Sequence, residues 1–281
     1  MANVKILTDS SVQLTSAEID QYQITVVPLT VAIDGKQYID GHDITRQEFA
    51  DEMLSSTNFP KTSQPPIGRF LDAFNQLGED GSEILAITLT KGLSGTVDAA
   101  RQAAELSDAK VTVIDSGSTD RGMAFQVIEA AKMAQKGAQM SELVAKVQEI
   151  VNNMELYVCI PHPENIIKGG RLGKVAASLT SLLNIDVVVQ VKNNKLSIAR
   201  KGRGVKVIKR FVAETLSRIE TDSDRISEVG MSYVSDKTFP EQIAQELQQK
   251  CPNVKPFIEL TSPIIMTHTG EGAFAIIFYR Q

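Results

Sequence analysis

Short apolar runs alternate with amphipathic stretches along the first half of the chain. The runs predict strands, because they are rich in β-branched residues and end at turn-forming residues. The amphipathic stretches predict helices, and T-x-x-E capping boxes at Thr15 and Thr45 mark the starts of two of them. Predicted strands fall within residues 4–11, 24–34, 82–90 and 109–115, and predicted helices follow Thr15, Thr45, residue 67 and residue 95. Pro28 breaks the second run into a strand or a strand pair, and residues 82–115 predict a βαβ crossover with parallel strands.

The second half has a different order of elements. A helical stretch from about residue 121 to residue 152 comes first, divided by Gly137 with Ser141 as a possible cap. The pattern then predicts strands at 154–160, 228–234 and 273–280, helices at 204–219 and 241–249, and a hairpin at 185–201 with Asn193 and Asn194 at its tip. We therefore predict an α/β fold of two domains: residues 1–155 with a mainly parallel sheet, and residues 156–281 with a mixed sheet. A ligand would lie at the junction.

Composition narrows the class of protein. The 281 residues are 42% hydrophobic and 22% charged, as in globular proteins large enough for two cores. The net charge of −5 argues against nucleic acid as a partner. We find no secretory leader and no apolar run of about 20 residues, so we expect a cytoplasmic protein without stable membrane insertion. We also expect a monomer.

Cofactor and metal signatures are missing from the sequence. Cys159 and Cys251 are far apart, and the three histidines, His42, His162 and His268, form no HxxxH or HExxH pair. There is also no phosphate loop, no GxGxxG after a strand and no GxSxG elbow. We expect two buried cysteines, no metal and no cofactor.

Hydroxyl-rich turns at the ends of predicted strands are the candidate binding elements. Ser94 and Thr96 stand where a helix starts, so Ser94 either donates to a bound carboxylate or is simply the N-cap. Thr62 and Ser63 precede a stiff Gln-Pro-Pro segment, which is also compatible with an ordinary loop between helices. His268 stands in a glycine turn that either forms an anion-binding nest or is a solvated loop.

Basic residues concentrate in residues 165–210, called the basic stretch below. It holds eleven Lys or Arg and one acid, Asp186. Within it, Lys168-Gly-Gly-Arg171 puts a guanidinium on a flexible turn suited to a phosphate or carboxylate. The stretch either is a solvated surface or docks an acidic or phosphorylated partner.

Eight short motifs, taken in order, resemble the DegV family over nearly the whole chain. They are Asp9-Ser-Ser11, Val27-Pro-Leu29, Tyr38-Ile-Asp-Gly41 with Asp43-Ile-Thr45, Thr62-Ser-Gln-Pro65, Leu93-Ser-Gly-Thr96, Val113-Ile-Asp115, Lys168-Gly-Gly-Arg171 and the turn from Thr267-His268 to Gly272. Each motif is weak alone, but this order at these spacings is specific.

The resemblance implies a two-domain, non-catalytic protein that binds a long-chain fatty acid such as palmitate. It implies that some members present the carboxylate to a separate ATP-dependent kinase subunit, which makes an acyl phosphate for phospholipid synthesis. Carried over by motif, the carboxylate contacts are Thr62, Ser63, Ser94 and His268. Arg171 and Lys168 would face the kinase or the phosphate, and Gly95, Thr96 and Gly270 would support the turns.

One residue departs from the family pattern. The last motif usually reads His-x-Gly-Pro-Gly, but here Glu271 replaces the proline. A negative charge beside a carboxylate is unfavourable unless it points to solvent. Two other functions therefore stay open: a lipid carrier or sensor without a kinase, and a stand-alone hydrolase or transferase with Ser94 as nucleophile and His268 as base.

Overall fold

The computed structural model describes residues 3–172 and 185–281, in which strands and helices alternate. The strands are β1 Val4–Asp9, β2 Thr25–Val27, β3 Thr30–Ile33, β4 Lys36–Ile39, β5 Lys61–Ser63, β6 Glu83–Thr88, β7 Val111–Asp115, β8 Met154–Ile160, β9 Ile185–Lys192, β10 Lys195–Arg203, β11 Glu228–Tyr233, β12 Lys255–Leu260 and β13 Phe274–Tyr279. The helices are α1 Ser16–Tyr22, α2 Arg46–Ser55, α3 Ile67–Gly78, α4 Thr96–Leu106, α5 Asp120–Gln135, α6 Met140–Asn153, α7 Glu164–Lys168, α8 Lys206–Thr221, α9 Thr238–Lys250 and α10 Pro263–Thr269. The α/β prediction is confirmed.

A parallel sheet of four strands, in the order β2-β1-β6-β7, forms the centre of the first half. Strands β6 and β7 pair in parallel across α4, as the βαβ pattern predicts. At the end of β1 the buried Asp9 accepts hydrogen bonds from the backbone N–H groups of Ser11, at 3.0 Å, and Leu89, at 2.6 Å. Asp9 therefore fixes the loop after β6 to the end of β1, at the edge where ligands of parallel sheets bind.

A mixed sheet of six strands, in the order β10-β9-β8-β13-β11-β12, forms the second half. Only β11 and β12 pair in parallel, and the other neighbours are antiparallel. Strands β9 and β10 form the predicted hairpin, with Asn193 at φ 51° and Asn194 at φ 57° in its two-residue turn. Asparagine suits this turn because it tolerates the left-handed conformation better than most residues.

A small antiparallel sheet, β4-β3-β5, was not predicted. The run broken at Pro28 is a strand pair whose members enter different sheets, since β2 joins the parallel sheet and β3 the small one. Thr62 and Ser63 were expected in a loop between helices, but they lie in β5, opposite Val31 and Thr30 of β3. The loop interpretation was wrong because β3 offers a free edge that three extended residues can pair with.

Two predicted helix caps need correction. Gln139 and Glu142 form the capping box of α6, so Ser141 lies inside the helix and is not its cap. Ser94 is not the N-cap of α4, because Gly95 occupies that position. The capping boxes at Thr15 and Thr45 are both confirmed.

The hydrophobic clusters bear on the division near residue 155. One cluster draws only on the first half, around α5 and α6, and another only on the second half, around α8 and α9. A further cluster draws on both, since it joins Leu29 and Phe49 to Ile160, Val187 and Ile264. Each half thus has a core of its own, while the limits 1–155 and 156–281 stay a prediction.

Candidate functional site

A cavity of about 350 Å³ lies between the loops at the edge of the parallel sheet and the β8–β10 face of the mixed sheet. Its apolar lining comes from both halves of the chain: Leu29, Leu89, Leu93, Val158, Ile166, Val189, Val191, Leu196, Ile264 and Ile265. This volume is in the usual range of small-molecule sites. The cavity is therefore a shared feature of the two halves, where the sequence predicts a ligand.

Most of the polar residues that line the cavity lie in one part of its wall. The structure brings together Thr62, Ser63, Ser94, Gly95, Arg171 and His268, all of which the sequence singled out. Gln64 joins them, and both it and Ser63 are exposed, so this part of the cavity opens to solvent. Three other predicted residues do not line the cavity: Thr96 is buried behind Ser94, Lys168 is exposed at the end of α7, and Gly270 ends α10.

His268 lies in the last turn of α10, not in a glycine nest. Ser262 caps this helix, accepting a hydrogen bond from the backbone N–H of Ile265 at 3.4 Å, and Pro263 is its first residue. The N–H of Gly270 donates to the carbonyl of Met266 at 2.9 Å, so it is occupied by the helix end. The nest was predicted from the glycines, but a serine-capped, proline-started helix reaches as far as Thr269.

The imidazole of His268 bonds to Thr62. Its Nε2 lies 2.9 Å from Thr62 Oγ1, and its Nδ1 is buried without a hydrogen-bond partner among the described residues. An unpaired acceptor costs less than an unpaired N–H, so we assign the proton to Nε2. Nε2–H then donates to Thr62 Oγ1, and the Thr62 hydroxyl keeps its own hydrogen for a ligand.

His268 is neutral at physiological pH. Burial, with a smaller contribution from the positive charge of Arg171, lowers its pKa to about 4. Gly169 packs against the ring, and a Cβ at that position would lie 2.4 Å from Nδ1. A glycine is therefore required where α7 meets the imidazole.

Ser94 lies one residue before the N-cap of α4. Its Oγ is 2.9 Å from Thr96 Oγ1 and accepts a hydrogen bond from the Thr96 backbone N–H at 3.3 Å. When Thr96 donates its hydroxyl hydrogen to Ser94, the hydrogen of Ser94 is free for a ligand. Ser94 and Thr62 are thus two neutral donors at the open end of the cavity.

Arg171 lies at the same end of the cavity, called the polar end below, and is half-buried. Its Nη1 donates to the carbonyl of Gly169 at 2.7 Å, and its Nε donates to the carbonyl of Leu93 at 3.3 Å. Burial lowers its pKa from the usual value. No carboxylate pairs with it within residues 3–172 and 185–281, and residues 173–184 contain no Asp or Glu.

Glu271 points to solvent. The residue is exposed, and the glycines on each side of it, Gly270 at φ 79° and Gly272 at φ 70°, hold the left-handed backbone of the turn. Glu271 therefore does not bring a negative charge into the cavity.

Asp120 forms a polar spot elsewhere in the cavity wall. Its carboxylate accepts hydrogen bonds from Thr261 Oγ1 at 2.6 Å and Ser232 Oγ at 3.2 Å, and burial raises its pKa to about 6. These bonds join the start of α5 to the mixed sheet. No motif in the sequence marks this residue beyond its place after a hydroxyl-rich turn.

The geometry does not assemble a serine nucleophile with a histidine base. His268 bonds to Thr62, while Ser94 bonds to Thr96.

In the part of the chain that the structure describes, no three His, Cys, Asp or Glu residues are grouped to hold a metal. No helix there is long and apolar enough to cross a bilayer. Cys159 and Cys251 are both buried and free, as predicted.

The apolar lining was not identified from the sequence. Residues such as Val158, Val189 and Leu196 carry the same pattern as core residues, because a strand shows which faces are apolar and not which of them meet a void. Gln64 and Gly169 had local signals, since each belongs to a motif already singled out, but neither residue was chosen.

Known proteins resemble this chain over its whole described length. The family model described as "Uncharacterised protein, DegV family" matches residues 3–281. A DegV domain-containing protein of Streptococcus pneumoniae is 43% identical over 99% of this chain and 98% of its own. A second one, from Streptococcus pyogenes, is 43% identical over 99% of both chains.

Solved structures share the fold. DegV of Bacillus subtilis, described as a fatty acid binding protein, superposes with a TM-score of 0.92 at 25% identity and full coverage of both chains. A stearic acid-binding protein of Eubacterium ventriosum superposes with a TM-score of 0.89 at 26% identity, covering 100% of this chain and 98% of its own. With the family model matching nearly every residue, the chain belongs to the DegV family.

Proposed function

We propose that this protein binds one long-chain fatty acid in the cavity, with the carboxylate at the polar end and the acyl chain along the apolar wall. The observation that carries the proposal is the distribution of polarity: an apolar cavity with hydroxyls and a neutral imidazole gathered where it opens to solvent. The two solved relatives described as fatty-acid-binding and stearic acid-binding support it.

The apolar wall supplies the affinity. Each buried methylene contributes about 0.8 kcal/mol, so a chain of about fourteen to sixteen carbons gains roughly 10 kcal/mol before the costs of ordering it. A short acid would lose most of this gain. The preferred ligand is therefore a long chain, such as palmitic acid.

The polar end fixes the orientation of the ligand. Thr62, Ser63 and Ser94 offer hydroxyl hydrogens, and the neutral ring of His268 holds the Thr62 hydroxyl in place. These groups bind a carboxylate without neutralising it by a direct ion pair. Its oxygens keep the electron density that an attack on a phosphoryl group requires.

Native mass spectrometry of the protein as purified from bacteria tests the proposal. We expect a mass increase equal to one long-chain fatty acid, and uptake of palmitic acid after delipidation. A preparation that carries no lipid and takes up no added palmitic or oleic acid would contradict the proposal.

Ser94→Ala tests the head-group contact. We expect palmitic acid affinity to fall roughly tenfold, because a hydrogen bond to a charged group is lost. Ser55→Ala is the matched control, since Ser55 is exposed at the end of α2 and bonds only to the carbonyl of Glu52. Equal affinities of the two variants would show that Ser94 does not hold the carboxylate.

We further propose that the loaded protein hands its carboxylate to a separate ATP-dependent kinase subunit, which forms an acyl phosphate. Three features support this step. The carboxylate would lie at the exposed mouth, Arg171 has no carboxylate partner among the described residues, and Lys168 is exposed beside it. A guanidinium in this position is suited to a phosphate in transfer.

This step is measured by adding a purified fatty-acid kinase subunit and ATP to the loaded protein. The quantity followed is the amount of acyl phosphate formed per bound fatty acid. We expect Arg171→Met and Lys168→Met to lower transfer at least several-fold. Lys110→Met is the control, because Lys110 is exposed and pairs with Glu83 in the parallel sheet, at β6. Transfer that is unchanged in both test variants would favour a lipid carrier or sensor without a kinase.

A further inference from the structure

The β9–β10 hairpin contacts two parts of the site at once. Val189, Val191 and Leu196 of the hairpin line the apolar wall. The tip of the same hairpin reaches the loop after β6, which carries Ser94. One element of the second half therefore meets both the acyl-chain wall and the head-group loop of the first half.

A threonine connects the hairpin tip to the Ser94 loop. Thr90, which is fully buried, donates its hydroxyl to Asn194 Oδ1 at 3.0 Å and accepts the N–H of Gly92 at 3.3 Å. Its carbonyl accepts the N–H groups of Leu93 at 2.9 Å and Ser94 at 3.2 Å. The Thr90 hydroxyl thus links the hairpin tip to Gly92, in the middle of the turn that leads to Ser94.

The two backbones touch at the same point. A Cβ on Gly92 would lie 2.3 Å from the carbonyl oxygen of Asn194, so only glycine permits this approach. Asn194 itself has a left-handed backbone, at φ 57°, which the two-residue turn imposes. Gly117 packs on the other side of the asparagine, where a Cβ would lie 3.6 Å from Oδ1. The residue as a whole is exposed at the hairpin tip, but its Oδ1 lies between Gly117 and Thr90 and accepts the Thr90 hydroxyl.

We propose that Asn194 is a positioning residue for the head-group site: through Thr90 it sets the loop that presents the Ser94 hydroxyl to the ligand. The inference rests on the proposed fatty-acid binding, because that function gives Ser94 its role.

Two substitutions at Asn194 distinguish the effect of its left-handed turn conformation from the effect of its hydrogen bond with Thr90. Asn194→Gly keeps the left-handed turn, which glycine adopts freely, and removes the acceptor of Thr90. Asn194→Asp keeps an acceptor oxygen at the same place and also tolerates this backbone conformation. The aspartate variant is therefore the conservative rescue.

Two ligands distinguish an effect on the position of Ser94 from a general effect on the packing of the cavity wall. Dissociation constants for palmitic acid and for 1-hexadecanol are measured on delipidated protein by displacement of a fluorescent fatty acid. Both ligands fill the apolar wall, but only the acid brings a charge for Ser94 to meet, and hydrogen bonds to charged groups are the stronger ones. A merely structural role of Asn194 would weaken both ligands equally.

We expect Asn194→Gly to weaken palmitic acid about fivefold to tenfold and 1-hexadecanol by less than about twofold, with Asn194→Asp close to the wild type. In the Ser94→Ala background the effect of Asn194→Gly on palmitic acid affinity should disappear, because Asn194 affects the ligand only through Ser94. Equal loss for both ligands, or full additivity with Ser94→Ala, would overturn the inference while leaving fatty-acid binding intact. Wild-type protein that binds no palmitic acid would overturn the proposed function and this inference together.

Discussion

The half-buried imidazole of His268 makes the stability of this protein depend on pH. His268 has a folded-state pKa of about 4, because burial disfavours its charged form. In the unfolded chain its pKa is about 6.5. The unfolded state therefore binds more protons between these pH values, and the free energy of unfolding falls as the pH drops through this window, by about 3 kcal/mol from this residue. The contribution is fully present above pH 6.5 and is lost toward pH 4.

NMR titration of the imidazole signals measures this pKa directly. The chain has three histidines, so one signal should titrate near pH 4 and should be missing from His268→Gln. His42→Gln is the control, because His42 is exposed. A His268 signal with a midpoint near 6.5 would show that the ring is hydrated and not held as described.

Two buried acids act in the opposite direction. Burial raises the pKa of Asp40 and of Asp120 to about 6, so their contribution to stability is present below about pH 4 and is lost as the pH rises through 6. The effect of His268 must therefore be read from the difference between the wild type and His268→Gln, not from the wild type alone.

At the scale of elements, the contact between α7 and α10 keeps His268 in place. Gly169 has an ordinary helical φ of −66°, so alanine fits its backbone, but the added methyl would collide with Nδ1 of the ring. We expect Gly169→Ala to shift the imidazole away from Thr62 and to lower palmitic acid affinity several-fold.

Gly68→Ala provides the matched substitution. Gly68 lies in α3, and a Cβ there would meet nothing within 4 Å, so alanine should stabilise the protein by about 0.5 kcal/mol without changing affinity. Fluorescent fatty-acid displacement and thermal unfolding together distinguish the two variants. Affinity of Gly169→Ala equal to that of Gly68→Ala would contradict the packing argument.

The elements that the sequence predicted are those with a local signal. Capping boxes at Thr15 and Thr45, and the Asn193-Asn194 turn, depend on neighbouring residues alone, and all three are confirmed. Strand β5 has only three residues and forms because β3 has a free edge, which no local pattern reveals. Helix α10 had a local signal, Ser262 followed by Pro263, but the glycines after His268 drew the interpretation toward a turn.

At the scale of the whole molecule, Arg121 ties the two halves together. Its guanidinium pairs with Glu18 of α1 at 2.8 Å and with Glu228 of β11 at 2.6 Å, and it stacks 3.7 Å from the ring centre of Phe257. The side chain is buried, and a Cβ on Gly230 would collide with its stem, so that glycine makes room for it. The ion pairs connect the start of the chain to the mixed sheet.

Arg121→Met should destabilise the protein by about 3 kcal/mol, because it leaves two partly buried carboxylates unpaired while keeping the apolar stem. Arg101→Met is the control, since Arg101 forms only an exposed pair with Asp98 at 3.6 Å and should change stability by less than about 1 kcal/mol. Denaturant unfolding measures both. A loss for Arg121→Met no greater than that for Arg101→Met would mean that the halves are held by the shared apolar cluster alone.

The candidate site shows which part of a ligand cavity a sequence can reveal. Thr62, Ser94 and His268 are far apart in the chain but stand in recognisable motifs, so they could be chosen before their common place in the cavity wall was known. The residues of the apolar wall could not be chosen from the sequence, because Val158 and Val191 differ from core valines only in facing a void between the two halves. That void is a property of the assembled molecule.

The structure of the protein with bound palmitic acid is the most direct test of the central claim. We expect carboxylate oxygens within about 3 Å of Ser94 Oγ and Thr62 Oγ1. The acyl chain should then follow the wall formed by Val158, Val191 and Leu196. A reversed ligand, with its carboxylate near Asp120 and its methyl end at the mouth, or a ligand outside this cavity, would contradict the account.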